Sequence, residues 1–345
     1  MASVTKAQFE QIKKIQHRTR DKELHWLVES VVQPELPQLV EALQICCNLI
    51  LYNSPQSPDK EKLVEKGPAV TLPVSSAKSE AVKGILVRDG AHITKMSVAI
   101  KDRQFNRAVS HLKLSKPILL KQIMAAKKAI EQPMVLLVQA ESIFDDTSSE
   151  KCQEQHRVKH ESLLDLFDGL LKELQVAKRA LQLPTDPQLV FPLNITPPAH
   201  FEPPLNPHIA LDLYISQAEV CLDLKDLHIV TEKPWCEIDP DSGKSYVDQV
   251  RDRMSEGKSE ATDHQSRNKD KEGVLSNVFG HLSLRHKYEA QDYITRCITY
   301  NNQVVIVEHK LEVSSADPVL VSAFTKLDSV EYIVSSFMDN IKKLM

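Results

Sequence analysis

Gly243-Lys244-Ser245, inside the stretch IDPDSGKSYVDQ, has the residue types that close a phosphate-binding loop. Such a loop wraps phosphate oxygens in successive backbone N–H groups, and it needs a glycine five residues before the Gly-Lys-Ser. That position holds Ile238. A buried strand must precede the loop and a helix must follow it, with its N-terminus aimed at the anion. Here EKPWCEIDP precedes and a charge-rich stretch follows, so nucleotide binding through Lys244 is not expected. Asp239, Asp241 and Gly243 also imitate the start of a calcium loop. The glycine comes one position early, however, and the twelfth position is Val250 rather than a bidentate glutamate.

Cys152, His156 and His160 recur at intervals of four, which places three soft ligands on one helical face. They could hold zinc if a fourth ligand came from elsewhere, because structural sites take four protein ligands. HESLL, starting at His160, begins like a zinc-protease helix, but Leu164 stands where the second histidine belongs. The three residues read more simply as the end of a helical seam. No GxSxG elbow and no dinucleotide fingerprint occurs. No catalytic, cofactor-binding or metal-binding residue is assigned, and no cofactor is expected. A zinc- or nucleotide-dependent hydrolase is the enzyme alternative.

Bulk composition points the same way. The chain has 345 residues with only 8 glycines, and enzymes that cradle phosphates lean on glycine-rich turns. A formal net charge of −4 provides no overall basic field to recruit nucleic acid or an anionic membrane. No apolar run approaches the roughly 18 residues of a membrane span, and the N-terminal stretch lacks the apolar segment of a signal peptide. Of the 6 cysteines, Cys46 and Cys47 are adjacent and the rest are scattered without a CxxC pair, which reads as reduced thiols of a cytosolic protein.

Four stretches carry a helical period. Leu24, Val28, Val31, Leu36, Leu39, Leu43, Cys47 and Ile50 stay in phase across Pro34 and Pro37. This predicts one kinked helix, or two collinear ones, from Thr5 to Tyr52. A second helix is expected from Ser115, as N-cap, to Phe144. After the turn DDTSS, a third carries Leu163, Phe167, Leu170, Leu174, Ala177 and Leu181 until Pro184, forming an antiparallel hairpin with the second. This leucine stripe resembles a zipper, but no basic region precedes it, and packing within the chain's own bundle is the expected use. Asp317 caps the fourth helix with Pro318 in its first turn; Leu320, Phe324, Leu327, Val334, Phe337 and Ile341 form its buried stripe.

Strand patterns lie between. Asp89-Gly90 and Asn301-Asn302 each separate β-branched runs and signal tight hairpins. HIALDLYISQAEVCLDLKDLHIV alternates with a period of two. The expected fold is α+β: an elongated antiparallel bundle of about four long helices from N-terminal, middle and C-terminal segments, beside an antiparallel β-domain of five to seven strands. Residues 1–54, 115–183 and 316–345 are assigned to the bundle, and 68–114, 189–236 and 274–315 to the β-domain. The charged stretch 237–273 is read as a disordered linker, with Ser242 and Ser245 as candidate phosphorylation sites.

With these elements in place, the sequence resembles the Rogdi family, the second subunit of the RAVE complex that regulates the vacuolar and endosomal proton ATPase. ELHWLVESVV, VKGILVRDGAHITKMSVAIK and LYISQAEVCLDLKDLH carry the resemblance, which runs from Glu23 to the C-terminus apart from the charged stretch. It implies a non-enzymatic scaffold, cytoplasmic and peripherally associated with vacuolar and endosomal membranes. The implied partners are a large β-propeller-containing subunit, a Skp-type adaptor and peripheral subunits of the ATPase, whose cytosolic and membrane sectors the complex rejoins. The charged stretch and in-helix prolines suggest a fungal-type member. A helical-bundle adaptor unrelated to the pump is the alternative within the binding-protein class.

Overall fold

The computed structural model describes residues 6–76, 81–105, 109–145, 153–259 and 288–345. Helix α1 (Lys6–Leu27) runs through a π-helical turn (Val28–Val32) into α2 (Gln33–Tyr52). The Gln33 N–H reaches back to the Val28 carbonyl. That wider turn comes just before Pro34, which lacks the N–H for an ordinary helical bond and crowds the preceding carbonyls. The extra residue shifts the stripe slightly: Val28, Val32 and Leu36 are buried, and Val31 is half-buried.

Helix α3 (Lys121–Asp145) begins later than the expected Ser115. The Ser115 and Lys116 amides bond the His200 carbonyl, and Ile118–Leu119 form a short strand, β5. Long-range pairing overrides the local N-cap signal here. Helix α4 (Gln153–Gln182) follows, and α7 (Pro318–Leu344) closes the chain. The Asp317 carboxylate accepts from the Val319 and Leu320 amides, as the cap requires. Neighbours in the bundle are α2 with α3, α3 with α4, α4 with α7, and α7 with α2, a closed ring of four helices. The α4 residues Leu163, Phe167, Leu170, Leu174, Ala177 and Leu181 are all at most 1% exposed. Each such aliphatic or aromatic side chain contributes about 1.5–3 kcal/mol by leaving water.

The strands form two antiparallel sheets rather than one. The first orders β1 (Val70–Ser75), β2 (Val82–Asp89), β3 (His92–Ile100), β4 (His111–Leu114) and β6 (Phe201–Glu202), with β5 on β3. The second orders β7 (Ile209–Ser216), β8 (Glu219–Ile229), β10 (Gln303–Ala316) and β9 (Cys297–Tyr300). Both foreseen hairpins occur. Asn301 and Asn302 take φ of 48° and 58°. At the other, Gly90 has φ +58°, and a Cβ there would meet the Leu51 carbonyl oxygen at 2.1 Å, so the hairpin tip abuts the end of α2.

One hydrophobic core runs from the bundle through the first sheet to the inner face of the second. Gln122 of α3 fastens these layers together. Its amide donates to the Ala180 and Ile215 carbonyls at 2.9 and 2.8 Å and accepts from the Ile215 N–H at 2.7 Å. The β7–β8 turn adds a second fastening: the Gln217 and Ala218 amides donate to the Gln182 and Leu181 carbonyls at the end of α4.

The expectation of a disordered stretch at 237–273 fails over its described part. Tyr246–Ser259 form helix α5, which packs with α6 (Ala290–Arg296) and β9. Val247 and Val250 enter a second small core around Trp235, which stacks on Tyr293 at 5.1 Å. Residues 260–273 lie outside the described residues.

Candidate functional site

The stretch around Gly243-Lys244-Ser245 builds a helix cap. The Ser245 hydroxyl donates to the Asp248 carboxylate at 2.7 Å and accepts from the Asp248 N–H, while the Ser245 N–H donates to the same carboxylate. This reciprocal arrangement is a capping box, and its Ser-x-x-Asp spacing was present in the sequence as a signal for α5. Burial pushes Asp248 upward, but hydrogen bonds from Ser245 and Thr299 hold its carboxyl below the usual range. The loop amides turn inward: Asp241 N donates to the Asp239 carboxylate and Gly243 N to the Asp239 carbonyl. Lys244 pairs with Asp252 at 2.7 Å. Ser245 is 1% exposed and committed to its cap, which removes it as a phosphorylation candidate, whereas Ser242 is exposed.

Of the three spaced zinc-type residues, Cys152 and the side chain of His156 lie outside the described residues. His160 is buried at the head of the α4 stripe. Among the described residues, no group of three His, Cys, Asp or Glu is arranged to hold a metal ion. The described cysteines are free thiols. Burial pushes Cys46, Cys47, Cys221 and Cys297 up to about 12, which suppresses the reactive thiolate.

Two polar constellations escaped the sequence reading. The first is Arg88 on β2, fully buried on the core-facing side and ion-paired with Asp317, itself fully buried. The Arg88 guanidinium makes a second bond to Asp317 at 3.1 Å and donates to the Gly90 carbonyl at 2.7 Å. Asp317 therefore caps α7, ends β10 and holds the first sheet at once. An arginine within an alternating strand gave no hint of its partner, 229 residues away.

The second lies on the outer face of the second sheet. Lys225 of β8 bonds Asp223 at 2.6 Å and Asp212 of β7 at 3.3 Å. Asp212 also accepts from the Phe191 N–H and the Asn194 amide, each at 2.9 Å. Towards the opposite edge, Lys310 pairs with Glu312 at 2.7 Å and Asp223 at 3.4 Å, and the Tyr214 hydroxyl donates to Glu312 at 2.6 Å. Burial raises the Asp223 carboxyl against the pull of Lys225, and burial with the Glu312 contact raises the Tyr214 phenol. Lys310 and Tyr214 hold Glu312 down. The alternation in these strands was legible, but which face carries the charges depends on the register Asp212↔Asp223↔Glu312.

Chemically, these groups mainly satisfy one another. A cavity of about 310 Å³ opens elsewhere, between the start of α3 and the segment before β6, lined in part by Ile118, Gln122, Asn194 and His200. Its amides are already engaged, Gln122 with backbone and Asn194 with Asp212.

Comparison with known proteins places the chain. The profile of the Rogdi leucine zipper containing protein family matches residues 23–342. The chain belongs to this family. It is also 25% identical over 336 residues, covering 93% of this chain and 90% of the relative, to the Saccharomyces cerevisiae (strain ATCC 204508 / S288c) protein named "Regulator of V-ATPase in vacuolar membrane protein 2". In this Rogdi-family chain the zipper-like leucines are spent inside the molecule. Leu163, Leu170, Leu174 and Leu181 face α3 and α7, with Phe167 6.5 Å from Phe337, so the stripe cannot also serve an intermolecular zipper in this fold.

Proposed function

We propose that the chain is a non-catalytic regulator of the vacuolar-type proton ATPase that promotes joining of the cytosolic and membrane sectors. The observation that carries this reading is the near full-length similarity to the yeast regulator. The fold is consistent with it: a bundle and two sheets share one core, and the most buried charged groups are paired with each other rather than around an open cavity. The chain acts in the cytoplasm, peripherally at vacuolar and endosomal membranes; no helix among the described residues is long and apolar enough to cross a membrane. Its partners are a large β-propeller-containing subunit, a Skp-type adaptor and peripheral ATPase subunits.

The decisive experiment follows the peripheral ATPase subunits between cytosolic and membrane fractions, in cells with and without the chain, after glucose withdrawal and return. Slow or incomplete return to the membrane without the chain supports the reading. Equal recovery in both cell types overturns it. Affinity purification of the tagged chain, scored for a propeller-containing subunit, a Skp-type adaptor and ATPase subunits, tests the partner assignments separately.

A further inference from the structure

Helix α1 leaves the closed bundle. Its last turns rest on α7: Leu24 and Leu27 are buried, and the Arg20 guanidinium donates to the Lys343 carbonyl at 2.6 Å, near the end of α7. From residue 8 to residue 20 every side chain is exposed. That stretch nevertheless carries large apolar residues: Phe9 is 53% exposed, Ile12 47% and Ile15 64%, and further along the helix Trp26 is 62% exposed. Ile12, Ile15, Thr19 and Trp26 recur at intervals of three, four and seven, which aligns them along one side of a helix. From Phe9 to Trp26 the strip is about 26 Å long at 1.5 Å per residue.

The charges around this strip are asymmetric. Lys13 and Lys22 border it on its two sides, with Lys13 4.9 Å from the Phe9 ring, and Lys14 and Arg18 lie behind. Glu10 and Asp21 fall on the side opposite the strip, and Glu23 alone interrupts it near the base of the helix. Residues 8–23 hold Lys13, Lys14, Arg18, Arg20 and Lys22 against Glu10, Asp21 and Glu23. Aromatic and aliphatic side chains flanked by cations, on a helix that projects from a folded body, match an interfacial helix lying in an anionic bilayer surface. The apolar side chains would enter the headgroup boundary while the lysines meet lipid phosphates. Helical turns with few tertiary contacts are marginal in water, so such a surface would also stabilise the exposed turns of α1.

We propose that α1 is a peripheral membrane contact that seats the molecule on an anionic lipid surface through Phe9, Ile12, Ile15 and Trp26. The contact is separate from the ATPase-assembly reading, and most of it precedes the family match at residue 23. The test is co-sedimentation of the full chain with phosphatidylcholine vesicles, with and without phosphatidylserine. Binding is expected to the anionic vesicles, about tenfold or more above the neutral ones, and to weaken as salt rises. An Ile12→Glu, Ile15→Glu variant, altered only at exposed positions, should keep its circular dichroism and melting profile in solution and lose about tenfold in binding. A Tyr332→Ala variant, changed at an exposed site on α7, should bind as the parent does. Equal binding to both vesicle types, or undiminished binding by the double glutamate variant, overturns the proposal. So does a shift from dimer to monomer in that variant without vesicle binding by the parent, which would assign the strip to a second copy of the chain. None of these outcomes bears on whether ATPase sectors rejoin.

Discussion

Arg88–Asp317 and the Lys225 ladder are both buried ionic arrangements, and they differ in how completely they are satisfied. At the first, the guanidinium is shared between Asp317 and the Gly90 carbonyl, and Asp317 also caps α7. At the second, Asp223 Oδ1 is buried without a hydrogen-bond partner among the described residues, and the ladder leads out to Lys310 and Glu312, nearly half exposed. The joint between bundle and sheet is closed on itself. The ladder is incomplete and coupled to solvent. Full satisfaction lets a buried charge act as a rigid fastening, whereas partial satisfaction makes a buried charge sensitive to its surroundings.

The largest expected break in this contrast is Asp317→Ala. It strands a buried guanidinium and should lower unfolding stability by roughly 3–5 kcal/mol, with the lost cap adding about 1 kcal/mol, read from denaturant midpoints. Combining Arg88→Met with Asp317→Asn should recover much of that loss, because asparagine keeps a cap acceptor and no charge is left unpaired. If the double variant is as weak as Asp317→Ala, the pair is not the origin of the effect. Lys225→Met comes next, with an expected loss of about 2–3 kcal/mol, smaller because Lys310 still faces Asp223.

The ladder should also show itself in pH. Asp223 has its folded pKa raised above 3.8, so the folded chain holds that proton more tightly than the unfolded chain. Its stabilising contribution is present below 3.8 and lost as pH rises through the raised folded value. Asp223→Asn should therefore remove that loss of stability as pH rises above 3.8, and an unchanged pH dependence would sink the assignment. Glu312 has the opposite sign. Its folded pKa is lowered from 4.5, so its contribution is present above 4.5 and lost as pH falls through the lowered value. Glu312→Gln should have the smallest effect, under about 1 kcal/mol, and shrink with added salt.

Much of the helical part was legible because its signals are local. The α4 stripe reads directly from its spacing, and Asp317-Pro318 marks the start of α7. Asn301-Asn302 announces its turn because asparagine tolerates positive φ. The Gln217-Ala218 turn was silent, since neither residue favours its φ of 52° or 59°; the bonds of its amides to the end of α4 hold it there. Helix α5 was hidden by its charge-rich composition, which outweighed a capping box and two buried valines. Composition averages over a window, whereas Val247 and Val250 are enough to anchor one face beside Trp235. Nothing in the candidate polar sites was legible as a site, because their members come from strands whose register is set after folding.

By itself, the sequence determined the class of the molecule: long amphipathic helices, hairpins at Gly90 and Asn301-Asn302, and no complete phosphate, calcium or dinucleotide motif. These follow from residue periodicity and turn chemistry, which act over a few neighbouring residues. Tertiary structure decided that the strands divide into two sheets, that α3 waits until Lys121, that Ser245 caps a helix instead of a phosphate, and that Arg88 meets Asp317. Each of those outcomes joins segments far apart in the chain, as Gln122 joins α3 to Ile215 across 93 residues. No local pattern can encode such a partner, because the energy that selects it, burial of a polar group with its hydrogen bonds made, exists only once the layers have closed.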